Sequence, residues 1–324
     1  MAVEDFGRSA DGRRVQAVTL RKGAISARIL TWGAVLQGLW LEGVPHSLTL
    51  GSDRLADYEG AMRHHGSLVA PVANRFSGGR APLDGRMLDF ERNQDGRLSL
   101  HSGAAGTHLK VWNLAEAAND GAVLTLDLPD GEGGFPGNRR VMAEFALFEP
   151  AGLRLTITAV SDRPTLFNAT NHSYWNLDGT PGWAGHRLRI AAARVLANDA
   201  DFCPTGDVPA VAGTAFDFRE GRTILPGNPA LDNCFALADA RRPVTPVLWL
   251  QGKSGVTMEL ATSEPGVQVY DGRGAIRPGR MPYEGLAIEA QGWPDAPNHA
   301  GFPPIRLGPG ETCRQITEWR FSRA

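Results

Sequence analysis

The chain has 324 residues, 42% of them hydrophobic and 21% charged, with a formal net charge of -2 and a pI near 6.5. That is enough apolar sequence for a sizeable core, and with no dense basic run it excludes nucleic acid and anionic membrane surfaces as partners. The length allows two ordinary domains or one large all-β domain.

The opening Met1–Phe6 segment is acidic and lacks the cationic and apolar regions of a secretory signal. No stretch approaches the ~18 consecutive apolar residues of a membrane helix. Cys203, Cys234 and Cys313 are odd in number and far apart, so neither a disulfide framework nor a zinc site is expected. The expected home is the cytoplasm.

In chain order, Arg21-Lys22-Gly23 reads as a turn between strands, and Asp53–Glu59, with Leu55 and Tyr58 three apart, is the best short helix. Asn119-Asp120-Gly121 is a second turn. Val141, Ala143, Phe145 and Leu147 then alternate as one face of a strand, followed by Leu155, Ile157 and Ala159. Gly252-Lys253-Ser254-Gly255 marks a hairpin before Val256, Met258 and Leu260. Cys313, Gln315, Thr317, Trp319 and Phe321 alternate near the end. The 39 Gly and 22 Pro residues are spread as turn formers, and no repeat or composition break marks a boundary. The prediction is an all-β, mostly antiparallel sandwich or barrel, with residues 1–324 forming a single domain.

Several motifs fall away. Gly252-Lys253-Ser254 ends like a phosphate loop, but Val247 stands where its leading Gly belongs. No GxGxxG opens a helix, and no GxSxG elbow is present. His64-His65, and His101 with His108, lack a carboxylate or Cys at ligand spacing, so they read as chance pairs and no metal is expected. Asn168-Ala-Thr and Asn171-His-Ser are overlapping glycosylation sequons without an export signal, so another meaning is needed for them.

Four segments concentrate polar groups with Gly, Pro or aromatics, as a carbohydrate pocket requires: Pro71–Arg75, Leu100–Gly103, Thr170–Leu177 and Ile288–Asn298. Their order and spacing resemble the aldose 1-epimerase (galactose mutarotase) family. The resemblance rests on Ala73-Asn-Arg-Phe76, Leu100-His-Ser-Gly103, Asn171-His-Ser-Tyr-Trp-Asn-Leu177, Glu289 through Asn298, Phe302-Pro303 and Leu307-Gly-Pro-Gly-Glu311. Further matches are Asp130–Gly137, Gly213–Asp217, Leu231–Phe235 and Pro265–Tyr270, so nearly the whole chain is covered.

The resemblance implies a β-supersandwich with a shallow sugar cleft, Glu289 as general base and His172 as general acid. It places Asn74, Arg75, His101, Asp232 and Gln268 where the family binds and orients sugar hydroxyls. It also implies a free monosaccharide as partner, hexose or pentose, for a monomer or homodimer. Pro71-Val72, Ser102 and Asp271-Gly-Arg273 depart from the family pattern and are expected to alter the pocket rim.

The chemistry supports those roles. Exchanging anomers requires loss of the O1 proton and protonation of the ring oxygen O5, giving the open-chain aldehyde. One base and one acid on opposite sides of the sugar suffice, with no metal or organic cofactor. A nearby ionised Glu is expected to raise the His pKa. For each residue a plainer reading stands beside this one. His172 and Arg75 can be structural, Asp232 a turn residue, Gln268 solvent-facing, and Tyr174, Trp175 and Trp293 core. Two other functions remain open: a non-catalytic sugar-binding protein on the same fold, and a glycoside hydrolase using Glu289 and Asp232.

Overall fold

The computed structural model describes residues 2–323. Ala2–Arg8, Arg14–Lys22, Ile25–Leu30 and Val35–Leu41 form an antiparallel sheet in chain order. The turn expected at Arg21-Lys22-Gly23 is there, with Gly23 at a φ of 53° that a side chain would disfavour.

A nine-stranded antiparallel sheet dominates the fold. Its centre is Arg139–Phe148, Gly152–Ser161, Thr312–Arg323 and Val256–Thr262, side by side. The alternation read from the sequence explains it. Val141, Ala143, Phe145 and Leu147 are buried while Arg140 and Glu144 face solvent, and Leu155, Ile157, Ala159, Val256, Met258 and Leu260 are buried likewise. In the last strand Cys313, Gln315, Trp319 and Phe321 are buried and Thr317 is half-buried. Fully burying one large apolar side chain contributes roughly 1.5–3 kcal/mol, so this shared face is the main source of stability.

A five-stranded sheet carries the residues of interest, in the order Tyr174–Trp175, Leu286–Gln291, Gly266–Tyr270, Asp232–Ala236, Arg194–Val195. One continuous core of buried residues joins these three larger sheets. It includes Ile29 and Leu36 from the first, Phe145 and Trp319 from the second, and Trp175, Val267 and Ile288 from the third. The expected helix is a single short turn, Leu55–Glu59, which buries Leu55 and Tyr58. Among the described residues no helix is long and apolar enough to cross a membrane.

Candidate active site

Alternation in the five-stranded sheet decides which side chains meet. Leu286, Ile288, Ala290, Val267, Val269 and Phe235 point into the core. Their neighbours must therefore point to the opposite face. Register puts Gln268 directly across from Glu289, and Asp232 across from Tyr270. Glu289, Gln268, Asp232 and Tyr270 accordingly line one cavity of about 350 Å³. Tyr174, paired with Ala287, joins the same face, whereas Trp175 turns to the core.

His172 arrives from the segment just before Tyr174. Its peptide is held at both ends by the stretch after His64-His65: His172 N donates to Ser67 O at 2.9 Å, and Gly66 N donates to His172 O at 3.0 Å. Its Nε2 lies 3.4 Å from Glu289 Oε1. Both residues are nearly sealed from solvent, at 4% and 2% exposure. Among the described residues, His172 Nδ1 and Glu289 Oε2 have no hydrogen-bond partner. The pair is thus adjacent, not on opposite sides of a sugar.

Electrostatics also differ from the expectation that a carboxylate neighbour raises the histidine. Burial pushes His172 down to about 4 and holds Glu289 well above the ordinary carboxylate range, with Asp232 nearby adding to the rise. Desolvation opposes both charges, and at this depth it outweighs their mutual attraction.

The sequence-predicted binding residues all come together here. Arg75 donates through Nε to Gln94 Oε1 at 3.0 Å and through Nη2 to Asp232 Oδ2 at 3.4 Å. Gln268 Nε2 donates to Asp232 Oδ1 at 2.7 Å, so Gln268 is buried in the pocket wall and not solvent-facing. His101 Nδ1 accepts from Asn74 N at 3.1 Å, which leaves its other ring nitrogen to carry the proton and donate. Asn74 and His101 both have positive φ, 66° and 54°, a strain of about 1–3 kcal/mol each that the surrounding contacts must hold.

The overlapping sequons acquire a structural meaning. Asn168 is fully buried, and its amide grips the Gly292 peptide: Gly292 N donates to Oδ1 at 2.7 Å and Nδ2 donates to Gly292 O at 3.2 Å. Asn171 Nδ2 donates to Gly66 O at 2.8 Å. Gln315 bonds both backbone groups of Ala169, at 2.9 and 3.1 Å, and donates to the buried Glu264 at 2.8 Å. Side-chain amides thus fasten the segment before His172 in three directions, and that of Asn168 ties it to Gly292, just past the strand that carries Glu289.

Three sequence expectations change. Pro71, Val72 and Ser102 do not form the pocket rim; they are buried behind it. Ser102 has φ 64°, and its hydroxyl both accepts from Val72 N and donates to Val72 O at 2.9 Å, so these two departures compensate each other. Of the third departure, Arg273 does line the cavity. His64-His65 is no chance pair, since His64 packs against His101, His108 and His172. Sequence reasoning missed Gln94, Phe202 and Tyr270 as lining residues. Phe202, between the guanidiniums of Arg75 and Arg273 at 5.5 and 5.8 Å, carried no local signal.

Comparison with known proteins accords with this geometry. Residues 16–320 match the family model described as aldose 1-epimerase. The chain is 32% identical to a galactose mutarotase of Rattus norvegicus, covering 97% of this chain and 96% of that protein. It is 30% identical to an aldose 1-epimerase of Escherichia coli K12, with 96% of each chain covered. The crystal structure of a galactose 1-epimerase from Lactobacillus acidophilus superposes with a TM-score of 0.88 at 27% identity, covering 100% of this chain and 98% of that one.

Proposed function

Because the chain belongs to the aldose 1-epimerase family, we propose that its mutarotase reaction is carried by Glu289 and His172 acting as one proton-holding pair on a free monosaccharide. The observation that carries this reading is the 3.4 Å approach of the two buried groups, with an unpartnered polar atom on each, in the wall of a sugar-sized cavity.

The pair with a single proton has two forms. In one, Glu289 is a carboxylate and His172 an imidazolium; in the other both are neutral. The charged form attacks the ring. Glu289 takes the O1 proton, His172 gives its proton to O5, the C1–O5 bond breaks, and C1=O1 forms. What remains is the neutral pair beside the open-chain aldehyde. Rotation about C1–C2 presents the other carbonyl face. O5 then re-adds to C1 while His172 takes back the O5 proton and Glu289 returns its proton to O1. Protons balance over the cycle and no electrons are transferred, so the chemistry calls for no redox cofactor. Acid–base assistance of this kind is typically worth ~10²–10⁴ in rate.

The remaining groups bind. His101 and Arg75 donate to sugar hydroxyls, and Gln268 presents an amide. Asp232 accepts, and Arg75 and Gln268 hold its carboxylate so that it serves as an acceptor and not as a second reacting carboxylate.

The test is optical rotation of freshly dissolved α-D-glucose, α-D-galactose, L-arabinose and D-xylose, with and without the protein. The expected result is a faster approach to an unchanged final rotation with at least one sugar. Glu289→Gln and His172→Asn should each lower turnover by orders of magnitude without loss of fold. Near-normal turnover in either variant would remove that residue from the mechanism.

A further inference from the structure

The His64-His65 dipeptide has no place in the reaction as written, yet His64 packs on the acid and His65 on the acid's neighbour Tyr174. His64 stacks on His172 with ring centroids 5.6 Å apart and planes 22° apart. On the residue's continuation into the sheet, Tyr174 packs against His172 at 5.1 Å and 31°, and His65 stacks on Tyr174 at 4.3 Å and 26°. His64, His172, Tyr174 and His65 are therefore linked ring to ring, with the acid an interior member. The arrangement is fixed through the peptide of Gly66, which follows the dipeptide: its N donates to His172 O, and its O accepts from Asn171 Nδ2.

We propose that the ring faces of His64 and Tyr174 stabilise the imidazolium of His172, making His64 a positioning residue that favours the charged form of the catalytic pair. This rests on the acid–base reading above. The physical basis is that an aromatic face attracts a cation within about 6 Å of its centroid, and more strongly where water is excluded. A π-face suits this place because it costs no formal charge. A carboxylate in its place would require its own desolvation, and a protonated neighbour would repel the imidazolium.

The other charged and titratable groups that face the acid leave this role open. Glu289 is the proton partner at 3.4 Å, and Asp232 and Arg75 act on it electrostatically in opposite directions. His101 meets His172 edge-on at 5.3 Å, and the His108 ring packs against His64 and His101. Arg63 acts on His64 and His108. His64, His65, His101 and His108 are all held neutral by burial, so none of them competes for the proton.

The test compares His64→Leu, which keeps an apolar filler but removes the π-face, with His64→Phe, which keeps the face and removes the nitrogens. Turnover and KM are measured by optical rotation with whichever sugar the wild-type chain converts fastest. His64→Leu should lower kcat about three- to tenfold with KM within about twofold of wild type, and His64→Phe should restore kcat. The acid limb of the pH profile should move down by about half to one pH unit in the Leu variant only. Equal loss in both variants would mean that His64 acts through a nitrogen or merely fills space, and would overturn the proposal. Unchanged kcat in both, or a change in KM alone, would overturn it as well. Should His64→Leu fail to fold by circular dichroism, His64→Met replaces it. Failure of the acid–base reading is distinct: it appears as retained turnover in Glu289→Gln or His172→Asn, whatever the His64 variants do.

Discussion

Replacing Asn168 with Ala removes the amide that ties the His172 segment to the strand bearing Glu289. Two hydrogen bonds go, at 2.7 and 3.2 Å, in a place where Asn168 is fully buried. Gly292 O keeps a second donor, Gln291 Nε2 at 3.3 Å, whereas Gly292 N has no other partner there. The cost is thus one orphaned buried N–H, about 1–3 kcal/mol, plus about 1 kcal/mol for the second bond. The volume vacated by the amide adds to this. The packing there is close, since a Cβ at Gly292 would lie 3.0 Å from Asn168 Oδ1. The expected destabilisation is about 2–4 kcal/mol, read as a lower urea midpoint at constant slope, with fluorescence of the neighbouring Trp293 among the signals. Because the clamp joins the segments of the proposed acid and base, kcat should fall by more than KM rises. A loss below about 1 kcal/mol with unchanged kcat would refute the reasoning, showing that water or a small shift replaces the amide at no cost.

Other outcomes follow from the same structure. Within the folded range, kcat/KM should be flat across neutral pH. It should fall on the acid side near 4, where His172 takes a second proton, and on the alkaline side well above the usual carboxylate range, where Glu289 loses the only one. A profile that falls with a pKa near 6.5 would contradict this assignment. Stability should also drop in acid, because His65 and His108 are depressed to about 3 in the fold. Their stabilising contribution is present above the unfolded pKa of about 6.5 and is lost as pH falls toward 3, amounting to about 2 kcal/mol per histidine at pH 5. Denaturant titrations at pH 7 and pH 5 should show it, and His65→Phe, which keeps the stack on Tyr174, should flatten the difference. Arg75→Met should raise KM far more than it lowers kcat, since the side-chain hydrogen bonds of Arg75 go to Asp232 and Gln94; a loss confined to kcat would place Arg75 in the chemistry. Phe145→Ala, at a fully buried core position, should cost about 3–5 kcal/mol by denaturant titration and leave KM unchanged.

Much of this was legible in the sequence. The alternation of Val141 to Leu147 and of Leu155 to Ala159 fixes strand identity and inner face, because a side-chain period of two permits only one buried side. The ordered motifs around Asn74, His101, His172 and Glu289 pointed to residues that line one cavity, because a hydroxyl-rich ligand requires dense polar groups beside Gly and aromatics. Chemistry supplied the need for one acid and one base. What the sequence could not carry was distance and depth. Gln268 on an isolated strand reads equally well as solvent-facing; only its pairing with Glu289, and the core behind Val267 and Val269, turns it to the pocket. His64-His65 looks meaningless until the peptide of Gly66 docks on His172. The direction of the His172 shift reversed for the same reason, since attraction between two charges can be guessed from residue types, but the desolvation that opposes it depends on how many strands close over the pair. Residue types and local period are properties of a short stretch of chain. Adjacency and burial are properties of how distant stretches pack, and it is these that decide which groups can share a proton.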